Sequence, residues 1–355
     1  MPRNQSKRIQ WLFFGITVLL VGLGWLHLFR NRVRIAPSQY VLSGHTMGTT
    51  YSIRFFAHPD AEQSPKLQQR IDAELLRINR ILSTYDPESE ISAFNRSTST
   101  NPIPIGPEFA SVLAQALDIA EKTGGAFDPT VAPLVNLWGF GPDGRISTPP
   151  SDEAVREAKR SCGRQHLTLQ DTQLRKDIPS LRLDLAAIAK GYGVDALASL
   201  LRASGISNAV IEIGGETLAL GSKPGGTPWR IGIQKPRFDA VAGEALAGIL
   251  EITDQAVATS GDYQNFFTDS AGNTYSHILD PRTGRPVDHA TAGVTVIAPQ
   301  CALADALATG LYVMGPDDGL ALVETLPDVE ALFILRNPDG TFTERTSSTF
   351  PAIAH

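Results

Sequence analysis

The chain has 355 residues, with 31 Lys and Arg against 37 Asp and Glu, giving a formal net charge of -6. Hydrophobic residues make up 42% and charged residues 19%, so a substantial core can be buried, and the mild acidity excludes the basic stripe that a nucleic-acid binder presents. Two cysteines, Cys162 and Cys301, are too few for a disulfide framework.

Residues 11–29 (WLFFGITVLLVGLGWLHLF) carry no formal charge apart from His27. A run of that length matches the ~20 residues a helix needs to cross a bilayer, and Trp11 and Trp25 sit near its ends, where indole rings favour the interface. A cleaved signal peptide usually has an apolar region of only about 7–15 residues and a small-residue cleavage site, so the length favours an uncleaved anchor over residues 1–34. Arg3, Lys7 and Arg8 before the run balance Arg30, Arg32 and Arg34 after it, leaving orientation open. Residues 35–43 read as a linker, and 44–350 as the globular domain.

In that domain, 49–56 (TTYSIRFF) is rich in β-branched and aromatic residues and reads as a strand. Leu67, Ile71, Leu75, Ile78 and Leu82 line one face of a helix over 66–82. A second helix over 107–122 opens with proline and ends before Gly124-Gly125. A Pro/Gly-dense stretch with Trp138 leads to a polar helix at 151–160, a strand at 181–185, and a helix over 190–203. Strands at 208–213, 229–233, 247–252, 275–279 and 292–297 precede a small-residue helix at 302–313 and a last strand at 331–335 before an Asn-Pro-Asp-Gly turn. Strands and helices mix without steady βαβ alternation, which predicts one large α+β domain.

Three segments carry chemistry. In 181–201, Asp184 leaves a strand and Lys190 stands six residues on at a helix entrance, a place suited to an anion; the bland reading has Asp184 bonding turn amides and Lys190 solvated. The same stretch holds Gly191-Tyr192-Gly193-Val194-Asp195-Ala196, a G-x-G-x-x-A pattern, with Glu212 further on as a possible ribose acid. In a dinucleotide site the first glycine follows the strand almost directly, and here it does not. In 301–315, Asp305 and Thr309 are four apart and share a helical face, an arrangement that suits a hard cation such as Mg²⁺. The alternative is a threonine bonded to its own preceding turn and an aspartate capping a neighbour. In 276–286, His277 precedes an Asp-Pro-x-x-Gly turn, where it is either a general base or a half-buried histidine. There is no G-x-S-x-G, Walker A or HExxH motif.

The order of several motifs resembles the FAD:protein FMN transferases, the ApbE family. They are His45-Thr46-Met47-Gly48-Thr49, Leu82-Ser83-Thr84-Tyr85-Asp86 and Gly124-Gly125-Ala126-Phe127-Asp128-Pro129-Thr130-Val131, followed by 133–141, 184–192, Glu212-Ile213-Gly214-Gly215, Ala258-Thr259-Ser260-Gly261, 276–286 and 304–310. The resemblance runs from about residue 40 to 345 and implies an ApbE-like, T-fold-related domain with mainly antiparallel sheets and flanking helices. It implies flavin contacts at Met47, Tyr85, Ala126, Phe127, Asp128, Asp184, Lys190 and Leu279. It implies Mg²⁺ held by the Ala187 carbonyl, Asp305 and Thr309. The sequence departs at Ala308, where some members carry another aspartate, and at Lys190, where some have glutamate.

The implied reaction moves FMN from FAD onto a Thr or Ser hydroxyl of an acceptor protein and releases AMP, with His277 as the base expected to take the hydroxyl proton. The implied acceptor is a flavin-carrying subunit of a membrane redox complex. The implied location is the bacterial inner membrane, with the domain in the periplasm. Two other classes compete: an NAD-dependent oxidoreductase built on residues 191–196, and an FAD pyrophosphatase or non-catalytic flavin binder.

Overall fold

Alternating burial organises the chain around one sheet. A computed structural model describes residues 38–57, 64–236, 246–263 and 265–354. The apolar run at 11–29 lies outside the described residues, and no described helix is long and apolar enough to cross a membrane.

The sheet has eight strands: β1 (Ser38–Thr46), β2 (Thr49–Ala57), β3 (Ala209–Ile213), β4 (Glu216–Leu220), β5 (Ala256–Gly261), β6 (Thr291–Ala298), β7 (Glu330–Arg336) and β8 (Phe342–Thr346). Each neighbours the next in chain order. The registers from β2 to β8 are all antiparallel. Successive side chains point to opposite faces of a strand, and the sequence uses both. Tyr51, Ile53 and Phe55 of β2, Val294 and Val296 of β6, and Ala331 and Phe333 of β7 join the main core. Val257 of β5, Ile297 of β6, and Leu332 and Ile334 of β7 face a second core on the other side. That second core is completed by a ribbon of Trp229–Gln234 and Leu246–Ile252, through Trp229, Ile233 and Leu250.

Among the described residues eight helices follow in order: α1 (Ser64–Leu82), α2 (Glu90–Arg96), α3 (Pro107–Lys122), α4 (Ala132–Leu137), α5 (Asp152–Lys159), α6 (Ala186–Ala203), α7 (Cys301–Met314) and α8 (Pro316–Val323). The first six are inserted between β2 and β3, while α7 and α8 lie between β6 and β7. Helices α6 and α7 pack against each other and contribute Ile188, Val194, Leu197, Leu307 and Leu311 to the main core. A satellite core of Leu134, Trp138, Val155, Cys162 and Leu279 is pinned by Trp138 Nε1 donating to the Gly284 carbonyl at 2.9 Å.

The mixed α+β architecture with antiparallel sheets is as expected, and four local expectations need correction. Strand β1 occupies most of the stretch read as a linker. Residues 181–185 are not a strand. Leu181, Leu183 and Leu185 are buried in alternation, but Leu183 exchanges both backbone hydrogen bonds with the Asn95 side chain, and Lys176 Nζ donates to the Leu181 carbonyl. Side chains thus do the work of a neighbouring strand. Helix α6 starts at Ala186 rather than 190, because Asp184 Oδ1 accepts from the Ala186 amide and opens the helix early. The run 275–279 is split into Thr274–Ser276 and Leu279–Asp280, since the His277 amide donates to the Asn265 carbonyl and Ser276 Oγ takes the Ile278 amide.

Candidate active site

A cleft of about 290 Å³ opens where the first turns of α6 and the middle of α7 meet the loops before α4 and after β5. Its lining includes Tyr85, Ala126, Phe127, Asp128, Asp184, Ala187, Lys190, His277, Leu279, Asp305 and Thr309, so residues far apart in sequence converge as expected. Met47 is not part of that lining. It sits at φ 49° in the two-residue β1–β2 turn, with its side chain against Gly193 of α6. Its side chain packs the β1–β2 turn against α6.

The helical side of the cleft is fixed by a close approach. A Cβ at Gly191 would lie 2.3 Å from the Cys301 carbonyl oxygen, so only glycine lets α6 cross the start of α7 here. The contact brings Asp305 Oδ2 within 2.9 Å of the Gly191 amide. That amide is the one an α-helix assigns to the Ala187 carbonyl, and sharing it leaves the Ala187 oxygen with acceptor capacity. Asp195, one helical turn on, accepts from the Cys301 and Ala302 amides at 2.9 Å each, capping α7 from the neighbouring helix. The glycines of the G-x-G-x-x-A pattern are thus packing residues inside a helix, and its aspartate is a cap. Glu212 takes the Gly215 amide at 2.7 Å and closes the β3–β4 turn. The dinucleotide reading fails on each of these points.

Charge is concentrated on this side. Lys190 Nζ pairs with Glu216 Oε1, while the other oxygen, Glu216 Oε2, is buried without a partner. Burial raises Glu216 and Asp305 above the carboxylate range although Lys190 attracts both. Burial opposes the charge on Lys190, but Glu216 and Asp305 outweigh it and hold the ammonium protonated. Lys190 is the single Lys or Arg in the cleft lining, against four carboxyl residues, Asp128, Asp184, Glu216 and Asp305. Thr309 Oγ1 lies 3.1 Å from Ser260 Oγ, not on its own preceding turn. Among the described residues no cluster of three or more His, Cys, Asp or Glu forms a metal cage. The donor set is all oxygen, with few protein ligands and one unpaired buried carboxylate oxygen, which fits a hard cation such as Mg²⁺ that keeps waters and shares a phosphate.

The loop side is built of rings and turns. The exposed Tyr85 donates its hydroxyl to the Phe140 carbonyl at 3.0 Å. Phe140 tilts against Phe267 at 5.8 Å and meets the His277 ring edge-on at 6.3 Å. Asp128 is spent on its own loop: Oδ1 takes the Thr130 amide and hydroxyl, and Oδ2 the Arg164 amide. Asp184 likewise serves the turn and helix start, and burial raises its carboxyl, with the Ala186 amide acting against this. His277 Nδ1 lies 3.0 Å from the Asn265 carbonyl, so Nδ1 carries the proton and Nε2 is the basic nitrogen. Burial pushes this imidazole down to about 4, keeping it neutral near pH 7.

Glu216, Ser260, Asn265 and Phe140 were not singled out in sequence. A readable signal existed for Glu216: a carboxylate right after Gly214-Gly215, opening a strand whose five residues are all buried.

Known proteins share this architecture. The ApbE family profile matches residues 47–333. A Vibrio cholerae protein named FAD:protein FMN transferase is 45% identical over 315 residues, spanning 88% of this chain and 92% of its own length. The Escherichia coli K12 protein of that name is 40% identical over 287 residues, spanning 80% of each. The solved flavin transferase ApbE from Vibrio cholerae matches with a TM-score of 0.81 at 44% identity, covering 88% of this chain and 98% of that one. The Pseudomonas stutzeri flavinyl transferase ApbE, in apo form, matches at 0.80 and 37%, covering 89% and 96%.

Proposed function

The chain belongs to the ApbE family, and from that premise we propose that it transfers FMN from FAD to an acceptor protein, using Mg²⁺ and releasing AMP. The observation that carries the chemistry is the convergence of Ala187, Lys190, Asp305, Thr309 and His277 on one cleft.

In this reading the rings of Tyr85, Phe127 and Phe140 take a planar part of FAD, and Lys190 meets the pyrophosphate. Ala187, Asp305 and Thr309 are the residues that would hold Mg²⁺, which when bound supplies charge neutralisation for the pyrophosphate. Ala308 offers no second carboxylate, so the remaining ligands are water and phosphate. A Thr or Ser hydroxyl of the acceptor attacks the FMN-side phosphorus, its proton passes to His277 Nε2, and the bond to the AMP phosphate breaks. Phosphoryl transfer of this loose kind is mostly positioning and electrostatics, with little charge on the attacking oxygen. A base as weak as His277 is then sufficient.

Incubation of the protein with FAD, Mg²⁺ and a candidate acceptor, followed by intact-mass analysis, tests the reading. The expected result is an acceptor heavier by one FMN together with free AMP. AMP without a mass gain would instead assign FAD pyrophosphatase activity, and tight FAD binding without turnover a flavin carrier.

The same reading extends to location. The uncharged run at 11–29 is long enough to anchor the chain in the inner membrane, with the domain on the periplasmic side and a flavin-carrying subunit of a membrane redox complex as acceptor. Fractionation with protease protection of intact spheroplasts tests this; a domain protected from external protease would contradict it.

A further inference from the structure

Glu216 has no part in the proposed transfer step, yet it lines the cleft. It opens β4 directly after the Gly214-Gly215 turn, and its side chain is 3% exposed. Oε1 accepts from Lys190 Nζ, while Oε2 is buried and unpartnered. A buried carboxylate oxygen without a donor is costly unless something arrives to occupy it. The groups lining the same cleft include Asp305, Thr309 and Ala187, and Lys190 is the single Lys or Arg among the lining residues, against the carboxyl groups of Asp128, Asp184, Glu216 and Asp305. Lys190 therefore neutralises in part what a divalent cation would neutralise more fully.

We propose that Glu216 and Lys190 form an exchangeable pair, in which the Lys190 ammonium stands in for the divalent cation until the cation arrives. On loading, Glu216 turns its free oxygen to the cation, directly or through one of its waters, and Lys190 is released to the pyrophosphate. Glu216 is thus a positioning residue with two partners in turn. This rests on the cation site of the flavin-transfer reading.

The test is Mn²⁺ binding to the purified full chain without FAD, followed by calorimetry and by the electron-spin signal of free Mn²⁺. Glu216→Gln keeps the shape and the bond to Lys190 but removes the charge, and is expected to weaken Mn²⁺ binding at least about tenfold. Glu216→Asp should restore part of that loss. Lys190→Met removes the internal competitor and is expected to tighten Mn²⁺ binding several-fold while weakening FAD binding. Unchanged Mn²⁺ affinity in folded Glu216→Gln, or weaker affinity in Lys190→Met, would overturn the proposal. If Glu216→Gln fails to fold, the direction of the Lys190→Met change decides alone. Wild-type protein that binds no Mn²⁺ overturns both this pair and the cation site. Wild-type protein that binds Mn²⁺ but transfers no FMN strikes only the transfer reading.

Discussion

The two sides of the cleft are made differently. On one side, α6 and α7 are locked by a glycine contact, an inter-helix cap from Asp195 and the Gly191–Asp305 hydrogen bond, and buried charge is placed on that frame. On the other, residues from the 83–86, 126–140 and 265–281 segments present rings and one neutral histidine, held by turn hydrogen bonds and edge contacts. Charges must be positioned to a fraction of an ångström, because electrostatic stabilisation falls off when its groups reorient. Stacking tolerates more movement. In the proposed reading, helices would carry the cation and pyrophosphate, and loops the flat ligand and the base.

The comparison can be broken at graded cost. Removing the base, His277→Ala, should slow FMN transfer by about 10²–10⁴-fold while FAD affinity changes little, measured by single-turnover mass analysis. Asp305→Asn should follow at roughly 10²-fold, with Mn²⁺ affinity falling in parallel. Gly191→Ala attacks the frame instead of the chemistry: the added methyl forces α6 from α7, at about 1–3 kcal/mol of stability, visible as a lower Tm with transfer reduced. Phe140→Ala touches only the loop side and should weaken FAD binding by roughly 3–10-fold with transfer at saturating FAD nearly unchanged.

The smallest effect concerns acid. His277 titrates at about 4 in the folded protein, because burial disfavours its charge, whereas an exposed imidazole titrates near ~6.5. As pH falls, the unfolded chain takes up the proton first, so this contribution to stability is intact above about 6.5 and drains away between 6.5 and 4. The wild type should therefore lose Tm across that window by a few degrees more than His277→Gln. Transfer itself should show no inflection near pH 6.5, since the ring is neutral throughout. A clear inflection there would mean that another group is the base.

How much of this was legible in the sequence follows the same division. Strands β2 and β3 and helices α1 and α3 announce themselves through period-2 or period-3.6 burial, whereas β6, β7 and α7 are buried almost throughout and show as apolar runs. The Asp305/Thr309 spacing placed both on one face of α7, and both line the cleft. What stayed hidden depends on partners distant in the chain. Residues 181–185 alternate like a strand, but their neighbour is the side chain of Asn95, which no local pattern encodes. The 191–196 glycines fit a nucleotide motif, and only the nearness of Cys301 shows them to be contact residues. Glu216 was overlooked because a carboxylate inside an apolar strand acquires meaning only when Lys190 and Asp305 are brought beside it. The family resemblance added Tyr85, Ala126, Phe127, Asp128, Ala187 and Leu279, which line the cleft and which residue chemistry had not singled out, and Met47, which lies outside that lining.

The order of the sheet has a consequence for the making of the protein. Strand β2 must wait for β3, since Phe55 pairs with Ala209 across six intervening helices. A chain leaving the ribosome therefore exposes the β1–β2 hairpin with an open edge long before its neighbour exists, a state that folds slowly and invites pairing with other chains. The helix bearing Asp305 emerges later still, beyond β6. Lys190 and Asp305 cannot meet until most of the chain has been synthesised, so an unfinished polypeptide carries only half of the cleft.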